Sequence, residues 1–258
     1  MKEFNFKKKY GQNFLTNEKV ANQIVNSINP TSKDLIIEIG PGAGAITKKL
    51  QKYDANILAF EIDKDTSKYL NKIENEKTKV VYCDFLTEDI TKHINNINYD
   101  NLYIIGNLPY YITTPILEKI IDSNLKEKEI IIMVQKEVGE RFRAKPHSRE
   151  YGYMTVLLNY SYQITKIVDV KRYDFNPKPN VDSVVIKLTN KNPDYLKYDE
   201  LKKLLKEAFQ FKRKTINNNL TSRDKEKLRI ILEKHDLNLS SRPEDIDLDT
   251  YIELSKGL

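Results

Sequence analysis

The sequence predicts a doubly wound α/β domain followed by a small all-helical domain, and three observations carry this reading. Short apolar runs alternate with helical patterns through the first 190 residues. The runs are apolar at successive positions, as strands buried on both faces of a parallel sheet are. Beyond Asn190-Lys191-Asn192-Pro193 only helical patterns remain. A chain of 258 residues suits one large domain, or a domain of roughly 190 residues with a small appendage. The boundary falls between residues 1–191 and 192–258.

The elements follow in order. Leu35-Ile36-Ile37-Glu38-Ile39, Ile57-Leu58-Ala59-Phe60, Val80-Val81-Tyr82, the run from Leu102 to Ile105, and Ile130-Ile131-Ile132-Met133-Val134 read as buried strands. Between and after them Ile46 to Lys52, Thr66 to Ile73, Thr114 to Ile121 and Lys136 to Phe142 have helical spacing, which makes the alternation of a doubly wound sheet. Ile164 to Val170 and Ser183 to Leu188 read as two further strands, closing the sheet with an antiparallel hairpin that runs through Phe175-Asn176-Pro177-Lys178-Pro179. Tyr198 to Phe209, Lys214 to Leu220, Lys225 to His235 and Asp249 to Ser255 are the helices of the second domain.

Composition narrows the setting. Charged residues make up 31% of the chain and no apolar run approaches the roughly 18 to 20 residues of a bilayer span, so a membrane protein is not expected. The lysine-rich start, Lys7-Lys8-Lys9 included, has no apolar segment of a secretory signal. Cys83 is the only cysteine, which fits a reducing cytoplasm. Forty-three basic against 37 acidic residues give a net charge of +6, compatible with a polyanionic partner and equally with a lysine-rich protein that has none. Distribution says more. Lys7-Lys8-Lys9, Arg141-Phe142-Arg143-Ala144-Lys145 and Lys212-Arg213-Lys214 are local clusters, each a solvated face or a phosphate contact until the fold places it. The three histidines, His93, His147 and His235, are scattered, so neither a metal site nor a histidine-based catalytic cluster is expected.

Four strand exits carry polar chemistry. The first strand runs into Gly40-Pro41-Gly42-Ala43-Gly44, where glycines let the backbone turn sharply and approach a ligand. The spacing differs from the dinucleotide-binding G-x-G-x-x-G, so a nicotinamide cofactor is not the first choice. Glu61 ends the second strand, where a carboxylate can accept both hydroxyls of a ribose. Asp84 follows the third, placed to accept from an adenine amino group or simply to make a turn. The fourth ends in Asn107-Leu108-Pro109-Tyr110. Its carboxamide oxygen can accept from an exocyclic amine, proline restricts the turn, and tyrosine offers a π-face for a base. Together these place four polar groups at the carboxyl edge of one sheet, where open α/β sheets bind ligands.

The order of these groups resembles the class I S-adenosylmethionine-dependent methyltransferases. Reading outward, Lys9-Tyr10-Gly11-Gln12-Asn13-Phe14-Leu15, Ile37 to Gly42, Asn107 to Tyr110, Glu150-Tyr151-Gly152 and Phe175-Asn176-Pro177-Lys178-Pro179-Asn180-Val181-Asp182-Ser183 occur in sequence. Together they resemble the ribosomal RNA adenine dimethyltransferase family across essentially the whole chain. Gly11 and Leu108 favour its small-subunit (16S) branch over the macrolide-resistance branch. One departure is Tyr111, where many members carry Asn.

The resemblance implies a Rossmann-like, mostly parallel seven-stranded sheet and cofactor contacts at Asn13, Leu15, Gly40, Gly42, Glu61, Asp84 and Asn107. It implies methylation of two adjacent adenosines to N6,N6-dimethyladenosine in a 3'-terminal hairpin loop of 16S rRNA, within an immature small subunit. Asn107 and the Leu108 carbonyl would hold the amine, with Tyr110 on one face of the base and Phe175 on the other. Arg141, Arg143, Lys145, Lys212 and Arg213 would meet RNA phosphates. A cytoplasmic monomer that uses no metal is expected.

Overall fold

The computed structural model describes residues 12–258, so Gly11 and the Lys7-Lys8-Lys9 cluster lie outside the described residues. The chain forms two compact units. One gathers the chain through Gly139 with Thr165–Asn190; the other consists of Glu140–Ile164 and Lys191–Leu258. The helical unit also takes in residues 140–164, which the sequence boundary at 191 assigned to the first domain.

The first unit begins with β1 (Phe14–Leu15) and α1 (Glu18–Asn26), then β2 (Leu35–Ile39), α2 (Thr47–Leu50), β3 (Asn56–Glu61), α3 (Ser67–Leu70) and β4 (Thr78–Tyr82). After these come α4 (Ile90–Ile94), β5 (Leu102–Asn107), α5 (Thr113–Asp122), β6 (Glu129–Gln135) and α6 (Lys136–Phe142). Past α7 (Tyr153–Ser161) the chain returns as β7 (Tyr162–Val170), β8 (Phe175–Asn176) and β9 (Ser183–Asn190). Seven strands form one sheet in the order β4-β3-β2-β5-β6-β9-β7. β4, β3, β2, β5 and β6 pair in parallel, and β9 joins β6 antiparallel with Gln135 opposite Ser183. The expected doubly wound, mostly parallel sheet is what forms.

Continuous apolar character has the predicted cause. Every residue of β2 is buried, and Leu102–Ile105 and Ile130–Val134 are buried throughout, as strands covered on both faces are. The order reverses at β2: β3 and β4 lie on one side, β5 and β6 on the other. That is a topological switch point, and the crevice outside its strand ends is where such sheets hold ligands.

Of these elements α1, α4, α7, β1 and β8 went unread in the sequence. α1 is capped by Asn17, whose side chain accepts from Lys19 N and Val20 N at 2.9 and 3.3 Å, and it buries Val20, Ala21, Ile24 and Val25. α7 is buried along most of its length and so lacks an amphipathic stripe. β1 and β8 form a separate two-stranded ribbon, Phe14 opposite Asn176 and Leu15 opposite Phe175.

In the helical unit α8 (Tyr195–Ala208) packs against α7 and α11 (Leu248–Gly257), with α9 (Ile216–Asn219) and α10 (Lys225–Lys234) completing it. Its core includes Tyr198, Leu204, Leu228, Leu232 and Leu254. Tyr151, from the Glu150-Tyr151-Gly152 motif, is buried with its ring 6.5 Å from Phe209, which in turn lies 5.8 Å from Tyr251. That motif therefore builds an aromatic core.

Candidate active site

The site grows from the exit of β2. Gly40 and Gly42 both have positive φ, at 72° and 58°, a region that side chains with a Cβ resist. At Gly42 there is no room either: a Cβ there would stand 2.9 Å from the Phe14 ring. The Gly42 N–H donates to Glu61 Oε2 at 2.9 Å, and Asp63 N donates to Glu61 Oε1 at 2.8 Å. Glu61 thus braces the glycine loop from the end of β3 and keeps lone pairs for a further donor. Burial of its carboxyl raises the pKa, opposed by these backbone donors. Asp63 caps the next turn, accepting from Asp65 N at 3.2 Å, and receives the Gln12 carboxamide at 2.7 Å.

A cleft with a mixed polar and apolar lining opens beside these groups. Asn13, Gly40, Gly42, Glu61, Asp84, Asn107, Leu108 and Tyr110 all line it, so the structure brings together eight residues expected from the sequence. Asp84 Oδ1 accepts from Leu86 N at 2.9 Å, a turn role that leaves Oδ2 open. Ile39, Phe60, Ile62 and Phe85 add apolar walls. Cys83 also lines the cleft, but burial pushes its thiol up to about 11, so it is no nucleophile at neutral pH.

Asn107 is held in one orientation. Its Nδ2 donates to the Asn13 carbonyl at 3.0 Å. A backbone carbonyl only accepts, so the amide nitrogen must face Asn13 and Oδ1 is turned away from it. Among the described residues nothing donates to Asn107 Oδ1 or to the Leu108 carbonyl. Tyr110 lies half-buried beside them, and Tyr111 is 61% exposed at the same cleft.

Phe175 lies apart from the other expected residues. It is 5% exposed, packs in the core with Leu15, Val20 and Ile24, and does not line the cleft. The cause is the β1–β8 ribbon, which sets Phe175 opposite Leu15 and leaves Asn176 as the exposed member of β8. The ribbon is anchored at Asp174. Its carbonyl accepts from Thr16 N at 2.8 Å and from the Thr16 hydroxyl at 2.9 Å, and its Oδ1 accepts the Asn17 carboxamide at 2.7 Å.

A second recess lies across Gly40, Gly42, Phe14 and Asn107 from the cleft, and Leu15 and Glu38 line it. Glu38 is 2% exposed, and its Oε2 is buried without a hydrogen-bond partner. Burial, with the nearby Glu61 charge, pushes this carboxyl up to about 7. Sequence reasoning missed Glu38, though an acid inside the otherwise apolar run Leu35–Ile39 was the available signal.

The residues fit S-adenosylmethionine on these observations. A nucleoside finds carboxylates at Glu61 and Asp84 between apolar walls, and an ammonium group finds the orphaned Glu38 oxygen. Among the described residues no group of three or more His, Cys, Asp or Glu could hold a metal ion.

Basic residues collect in the helical unit. Arg141, Arg143, Lys145, Lys212 and Arg213 are all exposed. Lys212 and Arg213 line a depression with Arg149 and Arg242, neither of which stood in a sequence cluster; His147, Glu244 and Asp245 also border it. Arg141, Arg143 and Lys145 do not. The buried Asn219 holds the loop that presents Lys212 and Arg213. Its Oδ1 accepts from Phe211 N at 3.0 Å, and its Nδ2 bonds the carbonyls of Phe211, Lys214 and Thr215 at 3.2–3.3 Å.

A glycine loop, two strand-end acids and an Asn-Leu-Pro-Tyr turn at the switch point of this sheet define a Rossmann-like methyltransferase. Two solved structures bear on the fold. A dimethyladenosine transferase from Plasmodium falciparum has a TM-score of 0.78, 26% identity, and coverage of 93% of this chain and 95% of its own. The 23S rRNA methyltransferase ErmE has a TM-score of 0.72 at 20% identity, covering 95% and 99%, and shares the fold. The family model described as ribosomal RNA adenine dimethylase matches residues 3–257. A ribosomal RNA small subunit methyltransferase A from Aster yellows witches'-broom phytoplasma (strain AYWB) is 42% identical over 257 residues, covering 96% of this chain and 94% of its own. The chain belongs to the ribosomal RNA adenine dimethylase family. It is an enzyme of methyl transfer to rRNA adenine, a chemistry that uses S-adenosylmethionine.

Proposed function

We propose that the chain dimethylates the N6 amines of two adjacent adenosines in a 3'-terminal hairpin loop of 16S rRNA, acting in the cytoplasm as a monomer on an immature small subunit. The observation that carries the chemistry is Asn107, whose amide is pinned through Nδ2 so that Oδ1 stays open beside the cleft. Small-subunit specificity is supported by the name of the phytoplasma relative and by Leu108 in the turn. The ErmE likeness marks the alternative, a large-subunit target, because that fold serves both.

Bound S-adenosylmethionine supplies a methyl group on a good leaving group, its sulfonium. The chain's task is the nucleophile, an amine whose lone pair is delocalised into adenine. Asn107 Oδ1 and the Leu108 carbonyl are two open acceptors on consecutive residues, matched to the two hydrogens of one amine. Accepting both favours a pyramidal nitrogen and fixes its direction; such positioning and electrostatics supply several kcal/mol. Tyr110 stacks on the base, worth roughly 1–3 kcal/mol. Burial raises the Tyr110 phenol above its ordinary value, so it stays neutral and the turn works without a charged base. Glu61 and Asp84 hold the cofactor's ribose and adenine, and Glu38 faces its ammonium. An extruded loop base needs little unpairing. Arg149, Lys212, Arg213 and Arg242 meet phosphates, and their contacts weaken with salt.

The test is incubation with labelled S-adenosylmethionine and small subunits lacking the modification, followed by primer extension. Stops at two adjacent adenosines near the 16S 3' end are expected. Label confined to large-subunit RNA overturns the assignment.

A further inference from the structure

The cleft leaves one polar contact of its own unexplained. Tyr110 lines the cleft, and its hydroxyl oxygen lies 2.9 Å from Ser183 Oγ. Ser183 is fully buried and does not line the cleft, so it touches nothing that binds there. It is the first residue of β9, and two constraints fix its place. Antiparallel pairing sets it opposite Gln135, and the carbonyl of the preceding Asp182 accepts from Lys136 N at 3.0 Å. Asp182 is tied again on its other side, its carboxylate accepting from Arg172 N and Lys171 Nζ, each at 3.0 Å. The hydroxyl that meets Tyr110 is therefore carried on backbone secured from β6 and from the segment before β8.

We propose that Ser183 is a positioning residue for methyl transfer, holding the Tyr110 ring at the angle at which it stacks on the target adenine. This rests on the function proposed above. A tyrosine ring turns about two side-chain bonds, and ordering it on each encounter costs free energy that a far-end anchor removes in advance. The buried Ser183 hydroxyl is costly to leave without its partner. The sequence places the pair 73 residues apart, with Ser183 closing the Phe175-to-Ser183 motif and Tyr110 closing Asn107-Leu108-Pro109-Tyr110. Each motif thereby contributes one partner to a single hydrogen bond.

Ser183→Ala, Tyr110→Phe and the double variant, with Ser183→Thr as the conservative control, test this. Ser183→Ala and Tyr110→Phe should each lower kcat/KM for RNA about five- to tenfold, the size of one neutral hydrogen bond. The double variant should fall no further, Ser183→Thr should recover most of the loss, and cofactor affinity should stay within twofold. Wild-type kcat/KM in Ser183→Ala overturns the proposal, as does a double variant whose losses multiply. Loss of cofactor binding together with RNA activity also overturns it, since that marks general unfolding. If the wild-type protein methylates no small-subunit RNA, the functional reading fails instead. The pair is then judged by ring-flip rates of labelled Tyr110 in NMR: Ser183→Ala must speed them, and unchanged rates reject the anchor.

Discussion

Glu38→Gln isolates a buried charge at the heart of the cofactor recess. In the folded chain this carboxyl titrates near 7, against an ordinary value of 4.5, chiefly because burial disfavours the anion. Between these two pH values the unfolded chain has released a proton that the folded chain keeps. Folding therefore takes up a proton, and raising the pH destabilises the native state until about 7, above which the cost is complete. The distance from 4.5 to about 7, at about 1.36 kcal/mol per pKa step, amounts to about 3 kcal/mol. Glutamine keeps the shape and cannot ionise. Cofactor-free wild-type and Glu38→Gln proteins should have nearly equal stability at pH 4.5 and diverge through pH 7, with the variant ahead by up to about 3 kcal/mol. Urea denaturation across this range measures the difference, and a carboxyl-carbon NMR titration gives the midpoint directly. A difference that does not vary with pH, or a midpoint near 4.5, refutes the reasoning.

Four further outcomes follow from other contacts. Asn107→Ala should cut turnover by about 10²–10³ while cofactor affinity, measured calorimetrically, changes little; undiminished turnover removes Asn107 from the mechanism. Gly42→Ala places a Cβ against Phe14 at positive φ and should cost about 1–3 kcal/mol in urea stability, with cofactor binding weakened at least tenfold. Phe175→Ala should cost about 3–5 kcal/mol as a core deletion, whereas a ring used only for stacking would leave stability untouched. Lys212→Ala should reduce the salt slope of RNA binding by about 1, while Asn219→Ala keeps the charges and should weaken binding with the slope unchanged.

The strands and their polar exits were legible because each rests on local chemistry. Leu35–Ile39 reads as buried from its own composition, Glu61 and Asn107 end their strands, and Asp84 follows its strand by two residues. What escaped depends on distant partners. Phe175 was placed beside a base through the family resemblance, and its pairing with Leu15, which seats it in the core, could not be read from its own neighbours. α7 hid because burial on most sides erases the periodicity that betrays a helix. Asn17 before Glu18 was a readable cap, so α1 was an avoidable omission. Arg149 and Arg242 stand 93 positions apart, and only the fold gathers them.

The β1–β8 ribbon has a consequence for synthesis. Thr16 meets its partner Asp174 158 residues later, yet the segment it anchors carries the Asn13 carbonyl that orients Asn107. A growing chain on the ribosome can lay down β2 to β6 and the glycine loop well before residue 174 emerges. Until then the Asn107 amide has no ribbon-held carbonyl to turn against. An enzyme that modifies ribosomal RNA thus acquires the oriented amide of Asn107 only after more than two-thirds of its own chain has left a ribosome.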